Sequence, residues 1–220
     1  MQTKVIELRR LLAERFPPSR AGVGATGADQ VATGIEALDA LLGGGLPRGE
    51  FTELIAEGHG TGSAQVLHGW LQHAATAGQY LALIDGADSF DASVAEPEVL
   101  SRLLWVRCRK ASEALQAADL LLRDRNFTLV ALDLKLNPAA QLRKIPSSVW
   151  HRFKRLLEQT DAAVLVIVPT PLVSGAECRV RLEGMPGVEA LRKPPAPERL
   201  RFTLLRQAGL DLGVARARDS

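Results

Sequence analysis

The stretch VATGIEALDALLGGGLPRGEFTELIAEGHGTGS, residues 31–63, decides the fold. It predicts a short apolar helix capped by Thr33, a glycine-rich turn, and then a strand over 51–56. A second glycine-rich loop follows at 57–64, directly after that strand and before another helix. A strand, a glycine-rich loop and a helix in this order form the scaffold of a phosphate-binding loop. The sequence therefore predicts an α/β domain with a candidate phosphate-binding loop near its start.

Apolar strands alternate with amphipathic helices along the rest of the chain. Three further runs are almost wholly apolar, as expected for strands covered on both faces: 80–85, 127–134 and 162–170. Helices are predicted at 64–77, around 97–103, from Ser112 and at 146–160. Shorter or half-buried strands are predicted at 103–107, 179–183 and 199–206. The pattern predicts a mainly parallel sheet flanked by helices, with the last two strands forming an antiparallel edge.

Three segments are predicted: residues 1–29, a core over 30–207, and a tail over 208–220. The first contains a helix over 4–16 and a glycine-rich tether. The apolar stripe of this helix consists of Val5, Leu8, Leu11, Leu12 and Phe16. Such a stripe must be covered, either by a partner protein or by the core of the chain itself, and the sequence leaves both open.

The tail carries Arg216 and Arg218 and is predicted to be weakly structured, which suits a second partner-binding segment.

Composition sets broader limits on the class of protein. The chain has 220 residues, 46% of them hydrophobic, and a net charge of only +2, so a strongly basic nucleic-acid coat is excluded. No apolar run is long enough for a membrane span, and no secretory signal is expected at the N-terminus. With only two cysteines, no metal site is expected and the cytoplasm is the expected compartment.

The candidate phosphate loop comprises Gly58, Gly60, Gly62 and Ser63, together with the more distant Asp133. When Gly62 is aligned with the last glycine of the motif G-x-x-x-x-G-K-[ST], Ser63 occupies the lysine position and Ala64 the hydroxyl position. Glu57 occupies the opening glycine position, where its carboxylate would repel phosphate. We therefore expect a loop that keeps the backbone shape of a phosphate-binding loop but lacks the lysine and the hydroxyl that bind phosphate and Mg²⁺. We expect no bound cofactor and no catalytic residue.

These motifs resemble the RecA core domain. Residues 31–63 are similar to the "TG…LD..LGGGLP.G" entry of that domain, and the resemblance continues through YLALIDGADSFD and AAVLVIVPT over about residues 30–207. It implies that Asp133 is the Walker B aspartate. It also implies a catalytic glutamate where this chain has Ala87, with Asp88 beside it, and an Asn-Gln pair where this chain has Pro169–Pro171.

Among RecA-like proteins without a working phosphate loop, the size and layout resemble the ImuA family, which is encoded with ImuB in bacterial mutagenesis cassettes. The resemblance implies a non-catalytic accessory protein of the SOS DNA-damage response that supports translesion synthesis. It implies an ImuB-type polymerase-like protein as partner, RecA as a second candidate, and weak or no direct DNA binding.

Three alternatives stay open. The first is a DNA-stimulated ATPase in which Arg143 or Lys144 replaces the missing loop lysine. The second is a SulA-like cell-division inhibitor. The third is a single-strand binder that uses the basic residues of the helix at 146–160 and of the edge strands at 179–183 and 199–206, although the low net charge argues against it.

Overall fold

The computed structural model describes residues 2–16, 29–58, 60–183 and 200–207. The helices, in chain order, are α1 (Gln2–Arg15), α2 (Glu36–Leu42), α3 (Ser63–Thr76), α4 (Pro97–Leu100), α5 (Ala111–Asp124), α6 (Ala139–Leu142) and α7 (Ser147–Leu157). The strands are β1 (Gln30–Val31), β2 (Leu46–Pro47), β3 (Phe51–Ile55), β4 (Leu81–Asp85), β5 (Leu103–Arg107), β6 (Leu129–Asp133), β7 (Ala163–Val168), β8 (Cys178–Glu183) and β9 (Arg201–Gln207). A short 3-10 helix spans Ala92–Val94.

The main sheet has seven strands in the order β5-β4-β6-β7-β3-β8-β9, and β1 and β2 form a small antiparallel sheet beside it. All neighbouring pairs are parallel except β8 and β9. The predicted α/β class with a mainly parallel sheet is confirmed, and the arrangement is consistent with a RecA-like core. The predicted antiparallel pair at the edge is also present, but β8 itself runs parallel to β3, so only β9 reverses direction.

Helices cover both faces of the sheet, which explains why its central strands are apolar throughout. On one face α5 and α7 pack around Trp150 and Phe153. On the other face α2, α3 and α4 pack around Trp70. The side chains of β3 alternate between these two cores, with Phe51 pointing to the first and Leu54 to the second. The strand that precedes the glycine-rich loop is therefore fixed from both sides.

The start of α2 differs from the prediction that Thr33 caps it. Ile35 is the N-terminal cap and makes no side-chain cap hydrogen bond. Thr33 instead accepts a hydrogen bond from the Ile35 N–H and donates its hydroxyl to Asp39 at 2.7 Å. Asp39, inside the helix, reaches back and also accepts from the Gly34 N–H at 3.0 Å. Asp39 thus ties down the backbone that leads into α2, and Thr33 does not act as the N-terminal cap of the helix.

The end of α1 packs against the core of the same chain. Phe16 is buried, with its ring 5.3 Å from that of Tyr80 and 5.4 Å from that of Phe127. Leu12 is partly buried against the same core, whereas Leu11 is 53% exposed. Two residues of the predicted stripe are therefore covered within the chain. Partner binding by the stripe stays a prediction, and Leu11 is its exposed candidate.

Several predicted residues lie outside the described part of the structure. These are the side chains of Val5 and Leu8, residue His59, and the tail with Arg216 and Arg218. Among the helices that are described, none is long and apolar enough to cross a membrane.

Candidate functional site: a glycine-rich loop bridged by Lys135

The carboxyl ends of the parallel strands meet at one edge of the sheet, where α/β proteins place their ligand crevices. A cavity of about 240 Å³ lies there. It is lined by residues from the loops that follow β3, β4 and β6, among them Gly60, Ser63, Ser89, Asp91, Asp133 and Lys135. The sequence predicts that the loops after the parallel strands, at 57–64, 85–91, 133–137 and 169–176, form the ligand crevice, and the first three of these contribute to one cavity.

The predicted loop glycines adopt conformations that other residues rarely take. Gly58, Gly60 and Gly62 all have positive φ, between 69° and 97°. Gly62 also starts α3, and a Cβ there would lie 2.6 Å from a methyl group of Leu200. By contrast, a Cβ at Gly58 or Gly60 would meet no atom within 4 Å. Gly58, Gly60 and Gly62 therefore take backbone conformations that favour glycine, and the space beside Gly58 and Gly60 is open.

Lys135 supplies a cation to this loop. Its Nζ donates to Thr61 Oγ1 at 2.7 Å and to Ser63 Oγ at 3.0 Å, so it contacts the residue that occupies the lysine position of the motif. Burial lowers the pKa of Lys135, and the neighbouring Asp133 opposes that shift. Lys144, one of the two residues that the ATPase alternative offers for this role, lines a separate cavity beside the start of α5.

Asp133, the predicted Walker B residue, ends β6 beside Lys135. Its Oδ1 accepts a hydrogen bond from the Lys135 backbone N–H at 2.9 Å. Burial raises the pKa of Asp133 to about 6, and the charge of Asp85 adds to the rise, whereas the N–H and the charge of Lys135 act against it. The site therefore holds a cation and a carboxyl group that are both partly shielded from water.

The loop after β4 is organised by Asp85, which is 1% exposed. Its carboxylate accepts from the backbone N–H groups of Ser89 and Phe90 at 2.8 Å each, and from the indole N–H of Trp105 at 3.2 Å. A buried carboxylate with several donors is a structural anchor rather than a free base. Asp85 thus shapes the wall of the cavity through its backbone bonds.

Asp88, which stands next to the catalytic-glutamate position, is held by a neighbouring strand. Its two carboxylate oxygens lie 2.6 and 2.9 Å from Arg107 Nε and Nη2. This pairing holds the pKa of the Asp88 carboxyl below its usual value. Asp88 is not among the residues that line the cavity. The carboxylate is therefore engaged away from the loop.

Glu57 was expected to face the phosphate position, and the structure instead pairs it with β8. One of its carboxylate oxygens lies 3.5 Å from Arg181 Nη2, and both side chains are largely exposed. The pairing turns the charge of Glu57 toward the C-terminal strands. The repulsion that Glu57 would exert on an anion in the loop is thereby reduced.

The fourth predicted crevice segment, Pro169–Ala176, does not line the cavity. Because β7 and β8 both run parallel to β3 on its two sides, the chain between them must cross the sheet from one end to the other. Glu53, fully buried in the middle of β3, anchors this crossover. It accepts from the backbone N–H groups of Leu172 and Val173 and pairs with Arg179.

Asn137 opens the segment that would correspond to the first DNA loop of RecA. Its side chain is buried, and its Nδ2 donates to the Gly86 carbonyl at 2.7 Å. A Cβ at Gly86 would lie 2.3 Å from Asn137 Oδ1, so only glycine fits there. The first residue of this segment therefore ties two loops of the site together. It does not face solvent as a DNA contact would.

The residues at this site do not fit a magnesium–nucleotide complex. Ala64 offers no oxygen for a metal at the start of α3, and the hydroxyls of Thr61 and Ser63 are already hydrogen-bonded to Lys135. Within the described ranges, no group of three or more His, Cys, Asp or Glu side chains could hold a metal ion.

Sequence reasoning missed two residues, Lys135 and Glu53. Lys135 lies two positions after Asp133. Side chains alternate between the two faces of a strand, so extending β6 by two residues would have placed Asp133 and Lys135 on the same face. Glu53 is a carboxylate inside an apolar strand, which by itself demands a buried partner.

In the comparisons with known proteins, no family model matches the chain, and no curated protein matches it.

Proposed function

We propose that the chain is a non-catalytic RecA-like accessory protein of the SOS DNA-damage response. In this proposal it acts in the cytoplasm and supports error-prone translesion synthesis by binding other proteins. Its partner is an ImuB-type polymerase-like protein, with RecA as a second candidate. The resemblance of residues 31–63 to the RecA core and the mainly parallel α/β sheet support this assignment.

The observation that carries the proposal is the contact of Lys135 with the glycine-rich loop. Its ammonium group lies 2.7 Å from Thr61 Oγ1 and 3.0 Å from Ser63 Oγ, so these two hydroxyls are hydrogen-bonded from within the chain. A working phosphate loop leaves its lysine and hydroxyl available to the nucleotide and its metal. A loop that is already bridged needs neither ligand to keep its shape.

Two carboxylates at the end of β4 and in the loop that follows it support the same interpretation. Asp85 is committed to backbone amides and Trp105, and Asp88 is committed to Arg107. Activation of water requires a carboxylate within hydrogen-bond reach of the attacking oxygen. Because both carboxylates are engaged in this way, binding of partner proteins is a better-supported role for the chain than hydrolysis of ATP.

A binding experiment tests the proposal. The full chain, immobilised, is expected to capture a purified ImuB-type protein or RecA without added nucleotide. Leu11→Asp is expected to weaken that capture about tenfold, because Leu11 is an exposed apolar residue of α1. Glu14→Gln is the matched control, since Glu14 is an exposed polar residue one turn away on the same helix.

A point substitution is preferable to deletion of α1, because deletion would also remove Leu12, which packs against the core. If neither protein is captured by the wild-type chain, the proposed function is wrong. If capture occurs but Leu11→Asp binds as the wild type does, α1 is not the docking element.

One observation favours a second candidate, a DNA-stimulated ATPase. Lys135 supplies the loop with a cation from β6, so the loop is not without positive charge. Turnover of ATP that disappears in Asp133→Asn would support this candidate over the first.

A further inference from the structure

A groove runs along one side of α5, apart from the glycine-rich loop. Two cavities, of about 370 and 440 Å³, lie next to each other there and share Leu115 as a lining residue. One is bounded by the start of α5 and the turn between α6 and α7, and the other by the middle of α5 and the first half of α7. We call the two together the α5–α7 groove.

The floor of the α5–α7 groove is apolar. Leu115, Ile145 and Val149 are half-buried there and pack against the main core from its outer side. Leu120, at the far end, is 41% exposed. Apolar side chains gathered in a concave surface gain free energy when a partner covers them, at about 25 cal/mol per Å² of apolar area.

The rim of the groove is positively charged. Lys110 and Lys144 line the first cavity, whose lining includes no carboxylate. In the second cavity the carboxylate of Asp119 is paired with Arg123 at 2.8 Å and with Arg152 at 3.1 Å. Two arginines on one aspartate leave an excess of positive charge there as well. The groove thus presents an apolar floor between cationic ends.

We propose that the α5–α7 groove binds an acidic amphipathic segment of a partner protein. The apolar side chains of that segment cover Leu115, Val149 and Leu120, and its carboxylates face Lys110 and Lys144. A peptide suits this surface better than a nucleic acid strand, because a phosphate backbone would pair with the lysines but leave the leucines uncovered. The inference rests on the proposed function and adds that the segment of the partner that binds here is acidic and amphipathic.

The test is selection of peptides from a random display library with the full chain as bait. Enriched peptides are expected to combine acidic residues with leucine, isoleucine or phenylalanine. Synthetic versions are expected to bind Lys144→Glu and Leu120→Ser about tenfold more weakly than the wild type. Lys144 and Leu120 are exposed, so both variants are expected to unfold at the wild-type temperature.

Arg143→Glu is the control for charge alone, because Arg143 is an exposed neighbour of Lys144 that does not line the groove. It is expected to change peptide affinity no more than about twofold. The proposal is wrong if no acidic amphipathic peptides are enriched, or if they bind Lys144→Glu and Leu120→Ser as they bind the wild type. It is also wrong if a single-stranded oligonucleotide binds at Lys144 and displaces the peptides. Since the selection uses neither nucleotide nor the proposed partners, its failure leaves the proposed function to be judged by its own test.

Discussion

Two long-range bridges hold loops of this molecule to its sheet, and they differ in kind. At the crossover after β7, the buried carboxylate of Glu53 accepts two backbone N–H groups and pairs with Arg179. At the glycine-rich loop, the half-buried ammonium of Lys135 donates to the hydroxyls of Thr61 and Ser63. The first bridge joins two opposite charges and is largely buried. The second joins a charged ammonium to two uncharged hydroxyls and borders a cavity.

The difference separates a structural element from a site. A buried charge that loses its partner destabilises a fold strongly, so the Glu53 bridge is expected to contribute much of the stability of the sheet. A hydrogen bond from an ammonium to a hydroxyl at a cavity wall contributes far less. The bridge from Lys135 to the glycine-rich loop is therefore not required for folding. Its position, where a phosphate-binding loop would hold its ligand, connects it with function instead.

The largest effect is expected at Glu53. Glu53→Gln removes the charge that Arg179 pairs with and is expected to lower the free energy of unfolding by about 3–5 kcal/mol. Urea denaturation followed by circular dichroism measures it. Glu50→Gln is the control, because Glu50 pairs with Lys154 on a partly exposed surface and should cost less than about 1 kcal/mol. Equal losses in the two variants would contradict the comparison.

The next effect is a pH dependence at Asp133. Because the pKa of Asp133 is raised from 3.8 to about 6, the folded state binds more protons than the unfolded state between these values, and stability falls as the pH rises through this window. Asp133→Asn keeps an oxygen for the Lys135 N–H without the charge. We expect this variant to be more stable than the wild type by about 1–3 kcal/mol at pH 7, with the gain absent below pH 3.8. A gain that is the same at both pH values would contradict the raised pKa.

A smaller effect is expected at Lys135. Lys135→Met leaves the hydroxyls of Thr61 and Ser63 without their donor and is expected to cost about 1 kcal/mol. Hydrogen exchange should quicken in residues 60–64 and hardly elsewhere. Lys144→Met serves as the control, because Lys144 lies in the α5–α7 groove. Unchanged exchange in the loop would show that the bridge does not hold it.

The smallest effect is expected at the pair between Glu57 and Arg181. Both side chains are largely exposed and 3.5 Å apart, so Glu57→Gln should change the free energy of unfolding by less than about 0.5 kcal/mol. Thermal unfolding at low and high salt measures this. A loss comparable with that of Lys135→Met would place Glu57 among the groups that hold the loop.

The sequence was sufficient for the main helices and strands and for the mainly parallel sheet, but not for the short β1, β2 and α6 or for the direction of β8. The short strand predicted at 103–107 has the same bounds in the structure as β5. The parallel pairing of β8 with β3 was not predictable, because alternation of polar and apolar residues records one covered face and not the direction of a strand. The route of the crossover over Glu53 decides that direction.

The loop glycines and Asp133 were predictable because a motif fixes their spacing. Lys135 was not, because its role depends on contacts with residues 72 and 74 positions earlier in the chain. Whether a flexible lysine side chain reaches a loop depends on the order of strands in the sheet, which local patterns do not contain. The same holds for Arg179, which finds Glu53 across 126 positions.

The most direct test of the central claim is release of phosphate from ATP by the purified full chain, with magnesium and single-stranded DNA present. The account predicts a rate indistinguishable from that of Asp133→Asn, because the glycine-rich loop is bridged by Lys135 and the nearby carboxylates are engaged. Turnover that depends on DNA and is lost in both Asp133→Asn and Lys135→Met would contradict it, and would make Lys135 a phosphate-binding residue.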